Sequence, residues 1–414
     1  MILELKKEIY SKDNAPILPF ARGSHKNRYF RPAMTAMIYI HIPFCRKKCH
    51  YCNFFSLATK RGTDEIAAAI CNEAKSRKEE LHGQPVGSVY FGGGTPSLLP
   101  EREIDRMVDA LNCHFTIRSD AEITIEANPE DIHKPKLKAW KAAGINRLSI
   151  GIQSFFDADL RYLHRSHNAG DALRALDIAL ESGFNAISAD LIYGIPTLTL
   201  ERWLQNLNEI GRRKLDHLSA YALTVEPNTI LQWRIGRQQA ATPDETAQAE
   251  QFLALNRWSH EEGYLHYEIS NLCLPQMESR HNSGYWNGNH YLGLGPSAHS
   301  YNGKIRKWNV AHLADYIAQS KTGQFYPQSE TLTTANRYNE YVMTALRTST
   351  GINPQKVAAL FGQQWLQHFY SNIEKFVVCG WVEQAPDCYR LSVKGMLYAD
   401  SIASDLFIDV LHKH

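Results

Sequence analysis

The sequence predicts an α/β fold built on a parallel sheet, and three observations carry that prediction. From residue 37 onward, six short runs rich in Ile, Val and Tyr recur, often bounded by Gly, Pro or Asn as strands are. Stretches with a helical period separate them. Capping and stop residues fall where one pattern gives way to the next.

The strand runs are "MIYIHI" (37–42), "GSVYF" (87–91), "AEITIEA" (121–127), "NRLSIGIQ" (146–153), "NAISADLIYG" (185–194) and "HLSAYALT" (217–224). Among the helical stretches, "TDEIAAAICNEAKSRKEEL" opens on Thr63 with Asp64 and Glu65 in its first turn, and "PEREIDRMVDAL" starts on Pro100. "HKPKLKAWKAAG" stops at Gly144 and "AGDALRALDIALESG" at Gly183. Strands alternating with helices argue for a parallel sheet. Six units fall short of a full eight-fold barrel, which leaves an open sheet or a partial barrel.

After residue 240 the alternation fades. "TAQAEQFLALNRWSHEEGY" reads as a helix, and the Tyr/Asn/Gly-rich "NSGYWNGNHYLGLGPSAHSYNG" reads as ordered loops carrying function. From about residue 330, "NRYNEYVMTALRTSTG", "NPQKVAALFG" and "MLYADSIASDLFIDVL" are helical. The hairpin-like "WVEQAPDCYRLS" among them suggests a small winged-helix arrangement. The expected organisation is an N-terminal extension (1–36), a barrel (37–240), a connecting region (241–329) and a C-terminal domain (330–414).

Composition narrows the class. Apolar residues make up 44% of the 414 and charged residues 21%, the balance of a globular chain with ample core. A net charge of +2 gives no electrostatic case for nucleic acid. No apolar run is long enough to span a bilayer, so membrane contact is expected to be peripheral at most. The N-terminus shows no secretory leader. Eight scattered cysteines are too few for a disulfide framework, and a reducing cytoplasm fits them better.

Four constellations carry chemistry. Cys45, Cys49 and Cys52 follow directly on a strand, at the sheet edge where α/β folds bind ligands. Thiolates bind soft and borderline metals. Three at this spacing can hold three corners of a 4Fe–4S cluster and leave one iron open; zinc with a fourth ligand such as His41 or His50, or chance clustering, are the alternatives. Gly92, Gly93 and Gly94, with Thr95 and Pro96, close the second strand. They allow close backbone approach to a small polar ligand, though they match neither the dinucleotide nor the P-loop pattern. Glu126, Asn128, Gln153, Arg165 and Asp190 fall at or near strand ends, where buried polar groups need partners. Each alone reads equally well as a structural hydrogen-bonding residue. Finally, His281-Asn282-x-x-Tyr285-Trp286 combines an imidazole, a common haem ligand, with aromatics that stack on a flat macrocycle. A lone loop histidine more often just makes hydrogen bonds; His290 and His299 are less specific competitors.

"YIHIPFC…C..C", "GGGTP", "IEANPE", "GIQSF" and "DLIYGIP", in this order, resemble the radical S-adenosylmethionine (SAM) proteins, in the subgroup of oxygen-independent coproporphyrinogen III dehydrogenase and its relatives. The resemblance covers about residues 37–400. It implies a partial (β/α)6 TIM-like barrel with a smaller, mostly helical, winged-helix-like C-terminal domain, in agreement with the strand count. It further implies that Cys45, Cys49 and Cys52 bind a 4Fe–4S cluster whose open iron is chelated by SAM. By the same resemblance Tyr39 and Tyr51 lie beside cluster or SAM, and Gly93, Gly94 and Thr95 hold the methionyl part. Glu126, Gln153, Arg165 and Asp190 make polar SAM contacts, while Ile192 and Ala222 surround the adenine.

Two features distinguish among relatives. The dehydrogenase has a fourth cysteine at the position of Phe54, whereas the HemW subgroup of haem chaperones has the H-N-x-x-Y-W motif found here. The resemblance to that subgroup implies that His281 binds haem, with haem-requiring recipient proteins and an electron donor as partners. Oxidative decarboxylation of coproporphyrinogen III, or another SAM-radical reaction on a tetrapyrrole, is the enzymatic alternative. Residues 1–36 exceed the subgroup's usual start, with Met34 and Met37 near it; an arm over the site or a misplaced start would account for them.

Overall fold

The structure is a computed structural model and describes residues 35–59 and 61–408. The expected N-terminal extension lies, up to residue 34, outside the described residues.

Six strands lie side by side in sequence order and all parallel: β1 (Ala36–Ile42), β2 (Val86–Gly93), β3 (Ile117–Ala127), β4 (Arg147–Gln153), β5 (Ala186–Tyr193) and β6 (His217–Ala222). These are the six runs read from the sequence. Their alternation explains both the core and the site. One face carries Ile38, Ile40 and Ile42 of β1, Val89 and Phe91 of β2, Ile125 of β3, Leu148, Ile150 and Ile152 of β4, and Leu191 of β5. All of these are fully buried and side chains of one parity share a face. Helices between the strands cover this apolar face, including α1 (Thr63–Ser76), α2 (Glu101–His114), α3 (Lys134–Ala142), α4 (Asp157–Leu163), α5 (Ala169–Glu181) and α6 (Leu200–Arg213). Each large side chain buried this way contributes about 1.5–3 kcal/mol. The opposite parity is polar: Tyr39 and His41; Ser88 and Tyr90; Glu122, Thr124 and Glu126; Arg147, Ser149 and Gln153; Ser188 and Asp190; His217, Ser219 and Tyr221. The concave interior of the partial barrel is therefore lined by polar side chains rather than by hydrocarbon.

The second half differs from expectation. After α7 (Ile230–Gly236) and α8 (Glu245–Glu261), the strands β7 (Leu265–Glu268) and β8 (Asn271–Cys273) extend the sheet beyond β6. The Tyr/Asn/Gly-rich stretch, read as loops, forms regular structure instead, α9 (Arg280–Asn287), β9 (Tyr291–Leu294) and β10 (His299–Tyr301), and β11 (Ile305–Trp308) follows it. β9 pairs parallel with β1, Met37 opposite Tyr291 and Tyr39 opposite Gly293. β10, β11 and β12 (Gln328–Thr331) then continue antiparallel, giving a sheet of 12 strands. The glycines that suggested loops are required by close packing: a Cβ on Gly293 would lie 2.1 Å from the His299 carbonyl oxygen, and one on Gly295 2.4 Å from that of His41. Strands of only three or four residues, interrupted by such glycines, show no hydrophobic period.

A buried network ties this edge to the barrel. Glu73 of α1 accepts hydrogen bonds from Arg77 (2.6 Å), the Gly295 amide (2.8 Å) and Asn309 (2.7 Å), and Arg77 also reaches Ser300 at 3.0 Å. α10 (Leu313–Thr322) joins it through Tyr316, whose hydroxyl donates to Glu73.

The C-terminal part is mostly helical: α11 (Thr334–Leu346), α12 (Pro354–Phe361), α13 (Gln363–Val378) and α14 (Ala399–Leu406), with a hairpin pairing Val382–Gln384 and Tyr389–Leu391. Tyr338, Val342, Phe369, Ile373 and Leu406 form its core. Helices flanking a two-stranded wing match the winged-helix expectation. α13 escaped the sequence reading because its aromatic and polar residues blur the helical period. Among the described residues no helix is long and apolar enough to cross a membrane.

Candidate functional site

The cysteine loop leaves the C-terminal end of β1. Phe44–Cys45 pairs with Leu57–Ala58, which closes the loop at its base. The glycine run lets β2 approach it. The Gly94 amide donates to the Ile42 carbonyl at 2.8 Å, and a Cβ there would lie 2.6 Å from the Phe44 carbonyl oxygen. Gly93 has φ 112°, a backbone that strains any residue with a side chain, and a Cβ there would meet the His41 ring at 2.7 Å. Further along, the His50 amide donates to the Leu163 carbonyl (3.1 Å) and the His50 carbonyl accepts from the Leu231 amide (2.7 Å). The loop is thus held by β2, α4 and α7.

Cys45, Cys49 and Cys52 are partly accessible and free of disulfides. Two carry hydrogen bonds at sulfur: Thr95 donates to Cys45 (3.6 Å) and Arg165 to Cys49 (3.4 Å). Burial pushes the Cys45 and Cys52 thiols up, so metal uptake by them releases protons. Both histidines weighed as a fourth zinc ligand are engaged elsewhere. His41 bonds Tyr39 (3.1 Å) and the Phe55 carbonyl (2.9 Å). His50 stacks on His164 at 4.1 Å and meets Arg234 at 2.9 Å. Among the described residues, no three His, Cys, Asp or Glu side chains converge closely enough for a single ion. Three sulfurs spread around a loop, two with donors already aimed at them, suit a multi-iron cluster better than a tetrahedral zinc.

The strand-end residues meet in the hollow beside this loop. Glu126 accepts from Tyr90 (2.8 Å) and from the Gly93 amide (3.2 Å). Burial pushes its carboxyl up to about 7, with Asp190 adding to the rise and those hydrogen bonds opposing it. Asp190 accepts from Ser149 at 3.1 Å and is raised to about 6, again chiefly by burial. Arg165 spans the gap between loop and hollow: besides Cys49 it donates to Asn128 (2.6 Å) and to the Gly151 carbonyl (2.8 Å). Gln153, at φ 69°, ends β4 beside it; a Cβ on Gly151 would touch Gln153 at 3.0 Å and Arg165 at 3.2 Å. Tyr51 lies against Cys49 and Arg165, and Tyr39 stacks on Tyr90 at 6.2 Å. Ile192 shares the inward parity of Asp190, whereas Ala222 sits on the opposite parity from Tyr221 at the exposed end of β6.

These groups fit the cluster and SAM that the motif implies. Tyr221 stays 45% exposed although protein surrounds it, which marks an internal opening. Arg165 Nε and Thr124 Oγ1 are also buried with no hydrogen-bond partner among the described residues. Two carboxylates poised near neutrality would ionise beside an ammonium or sulfonium group.

His281 adjoins this group, against Tyr90. Glu122, deep in β3, accepts from Ser279 Oγ (3.1 Å), the Arg280 amide (3.0 Å) and the His281 amide (3.0 Å), fixing the start of α9. The His281 ring is 2% exposed. It stacks on Tyr90 at 5.1 Å and uses both nitrogens, Nδ1 with Ser88 (2.9 Å) and Nε2 with Tyr285 (3.1 Å). Burial pulls its pKa down to about 3, so the ring is neutral. Asn282 donates to Tyr267 (3.4 Å), and Trp286 faces the Arg347 guanidinium at 5.4 Å. The motif therefore packs α9 against the barrel and the C-terminal helices. Sequence reasoning missed Ser88, Glu122, Ser149 and Tyr90; their shared parity within apolar strands was the available signal.

Comparison with known proteins agrees with this geometry. The radical SAM superfamily model matches residues 39–210 and the HemN C-terminal domain model residues 332–398. The chain is 33% identical to the heme chaperone HemW of Mycobacterium tuberculosis over 381 residues, covering 91% of this chain and 95% of that protein. It is 33% identical to the heme chaperone HemW of Bacillus subtilis over 370 residues, 88% and 97% of the two chains. In structure it superposes on the radical SAM enzyme coproporphyrinogen III oxidase (HemN) from Escherichia coli with a TM-score of 0.78 over 90% of both chains, at 23% identity, which establishes the fold. The chain belongs to the HemW family of the radical SAM superfamily.

Proposed function

We propose that this protein carries haem and delivers it to haem-requiring proteins, respiratory ones among them, from a scaffold that holds a 4Fe–4S cluster and SAM. The observation that carries the proposal is Phe54, 63% exposed at the place where the dehydrogenase pattern needs a fourth cysteine, combined with relatives named heme chaperones. Cys45, Cys49 and Cys52 would hold the cluster, with Tyr39 and Tyr51 beside it. Gly93, Gly94, Thr95, Glu126, Gln153, Arg165 and Asp190 would hold the polar end of SAM, and Ile192 and Ala222 its adenine. Bound together, cluster and SAM supply one-electron reductive cleavage chemistry. The chain's own contribution is to enclose that site and to keep Glu126 and Asp190 ready to ionise beside a cation. Iron ligation by His281 would require its Nε2 to leave Tyr285. We place the protein in the cytoplasm on its cysteine usage, with an electron donor as a further partner.

Replacing any one of Cys45, Cys49 or Cys52 by Ala should abolish iron and sulfide uptake in anaerobic reconstitution while leaving the fold intact by circular dichroism. Zinc bound in place of iron by the unaltered protein would refute the cluster assignment. Haem titration of the same preparation tests the cargo, and absence of a haem-bound spectrum would refute the chaperone reading.

A further inference from the structure

We propose that His299, on the inner face of the sheet extension, is the imidazole that takes the haem iron in the conformation described, with Trp308 stacked beside it. This inference rests on the haem-carrying function proposed above.

Register fixes the position. Directly opposed residues share a face, and the pairings Tyr39–Gly293, Tyr291–Tyr301, His299–Trp308 and Trp308–Gln328 run from β1 to β12. His299 therefore looks to the same side as Tyr39, which is the side of the hollow. Its neighbour Ser300 points the other way, into the buried network, and donors there hold the strand: the Gly293 amide at 2.9 Å and Arg77 at 3.0 Å. His41 feels the His299 ring electrostatically and itself bonds the Phe55 carbonyl of the cysteine loop. The ring thus stands near the mouth where cluster and SAM would sit.

Availability sets it apart from the other candidates. The His299 side chain is exposed, and neither ring nitrogen has a hydrogen-bond partner among the described residues. His281 has both nitrogens bonded and is buried, and His290, whose Nδ1 meets Gln84 at 3.2 Å, has no aromatic ring stacked beside it among the described residues. Partial burial pulls the His299 pKa down, with Arg306 adding to this, so the ring is neutral with a lone pair to give. Trp308 lies 6.0 Å away at 25°, held by its indole N–H to Gln328 at 2.6 Å, and the same face continues through Tyr301 and Tyr291. An open imidazole beside fixed aromatic rings suits a planar iron macrocycle.

The test is a titration of hemin into the full chain and into three variants, His299→Ala, His299→Cys and His281→Ala, each first checked for an unchanged thermal transition. His299→Ala should weaken binding about tenfold or more and lose the histidine-ligand signature in the Soret and low-spin EPR spectra, with added imidazole restoring it. His299→Cys should convert the spectrum to a thiolate type, a readout that survives even if affinity does not change. His281→Ala should keep the histidine signature. Spectra of both His299 variants identical to the unaltered protein, or loss of the signature in His281→Ala alone, would overturn the assignment. Should the unaltered chain bind no hemin, the functional reading itself fails and this inference with it.

Discussion

Glu126 and Asp190 show how single side chains set the behaviour of this site. Each is a carboxylic acid raised toward neutrality, chiefly by burial, to about 7 and about 6. The folded chain then holds protons that the unfolded chain releases, so without ligand its stability falls as pH rises through that window. We expect the thermal midpoint of the ligand-free protein to drop between about pH 4.5 and about pH 7. Glu126→Gln should flatten the profile; a variant profile parallel to the unaltered one would exclude Glu126 as its source. That these residues matter was legible in the sequence, because a carboxylate inside a strand-like run needs a reason to be there. Their partners were not. Tyr90 and Ser149 look like ordinary strand residues until the register places them on the inward face.

At the scale of elements, the six barrel strands were readable because each carries two signals at once, apolar residues outward and polar ones inward. The edge strands β9 to β11 were not, since they are short and the glycines in and after β9 answer to backbone contacts with His299 and His41 that no local pattern encodes. α9 is the case where local reading and tertiary setting differ most. Its motif invited a ligand loop, yet Glu122, more than a hundred residues away, fixes it as a short helix with three hydrogen bonds and an ion pair to Arg147 at 3.5 Å. Glu122→Ala should leave Arg147 uncompensated in a buried setting and cost about 3–5 kcal/mol. Denaturant midpoints would measure that, and faster amide exchange at residues 280–282 should accompany it. A variant as stable as the unaltered protein would show that α9 is held by packing alone.

For the whole molecule, the polar hollow faces the cysteine loop on one side and the aromatic face of the sheet extension on the other. This arrangement brings together a place for cluster and SAM and a place for a flat macrocycle. Fold class and family were legible from one sequence because they rest on local motifs in fixed order. The hydrogen bonding that engages both ring nitrogens of His281 and leaves those of His299 open was not, because it arises only in the fold, in part from Ser88, distant in sequence. The measurement that bears most directly on the central claim is made on one anaerobically reconstituted sample carrying about four irons per chain. Hemin is titrated into part of it, and the remainder is given reductant, SAM and coproporphyrinogen III. Stable hemin binding without protoporphyrinogen is expected; formation of protoporphyrinogen would make the chain a decarboxylating enzyme instead.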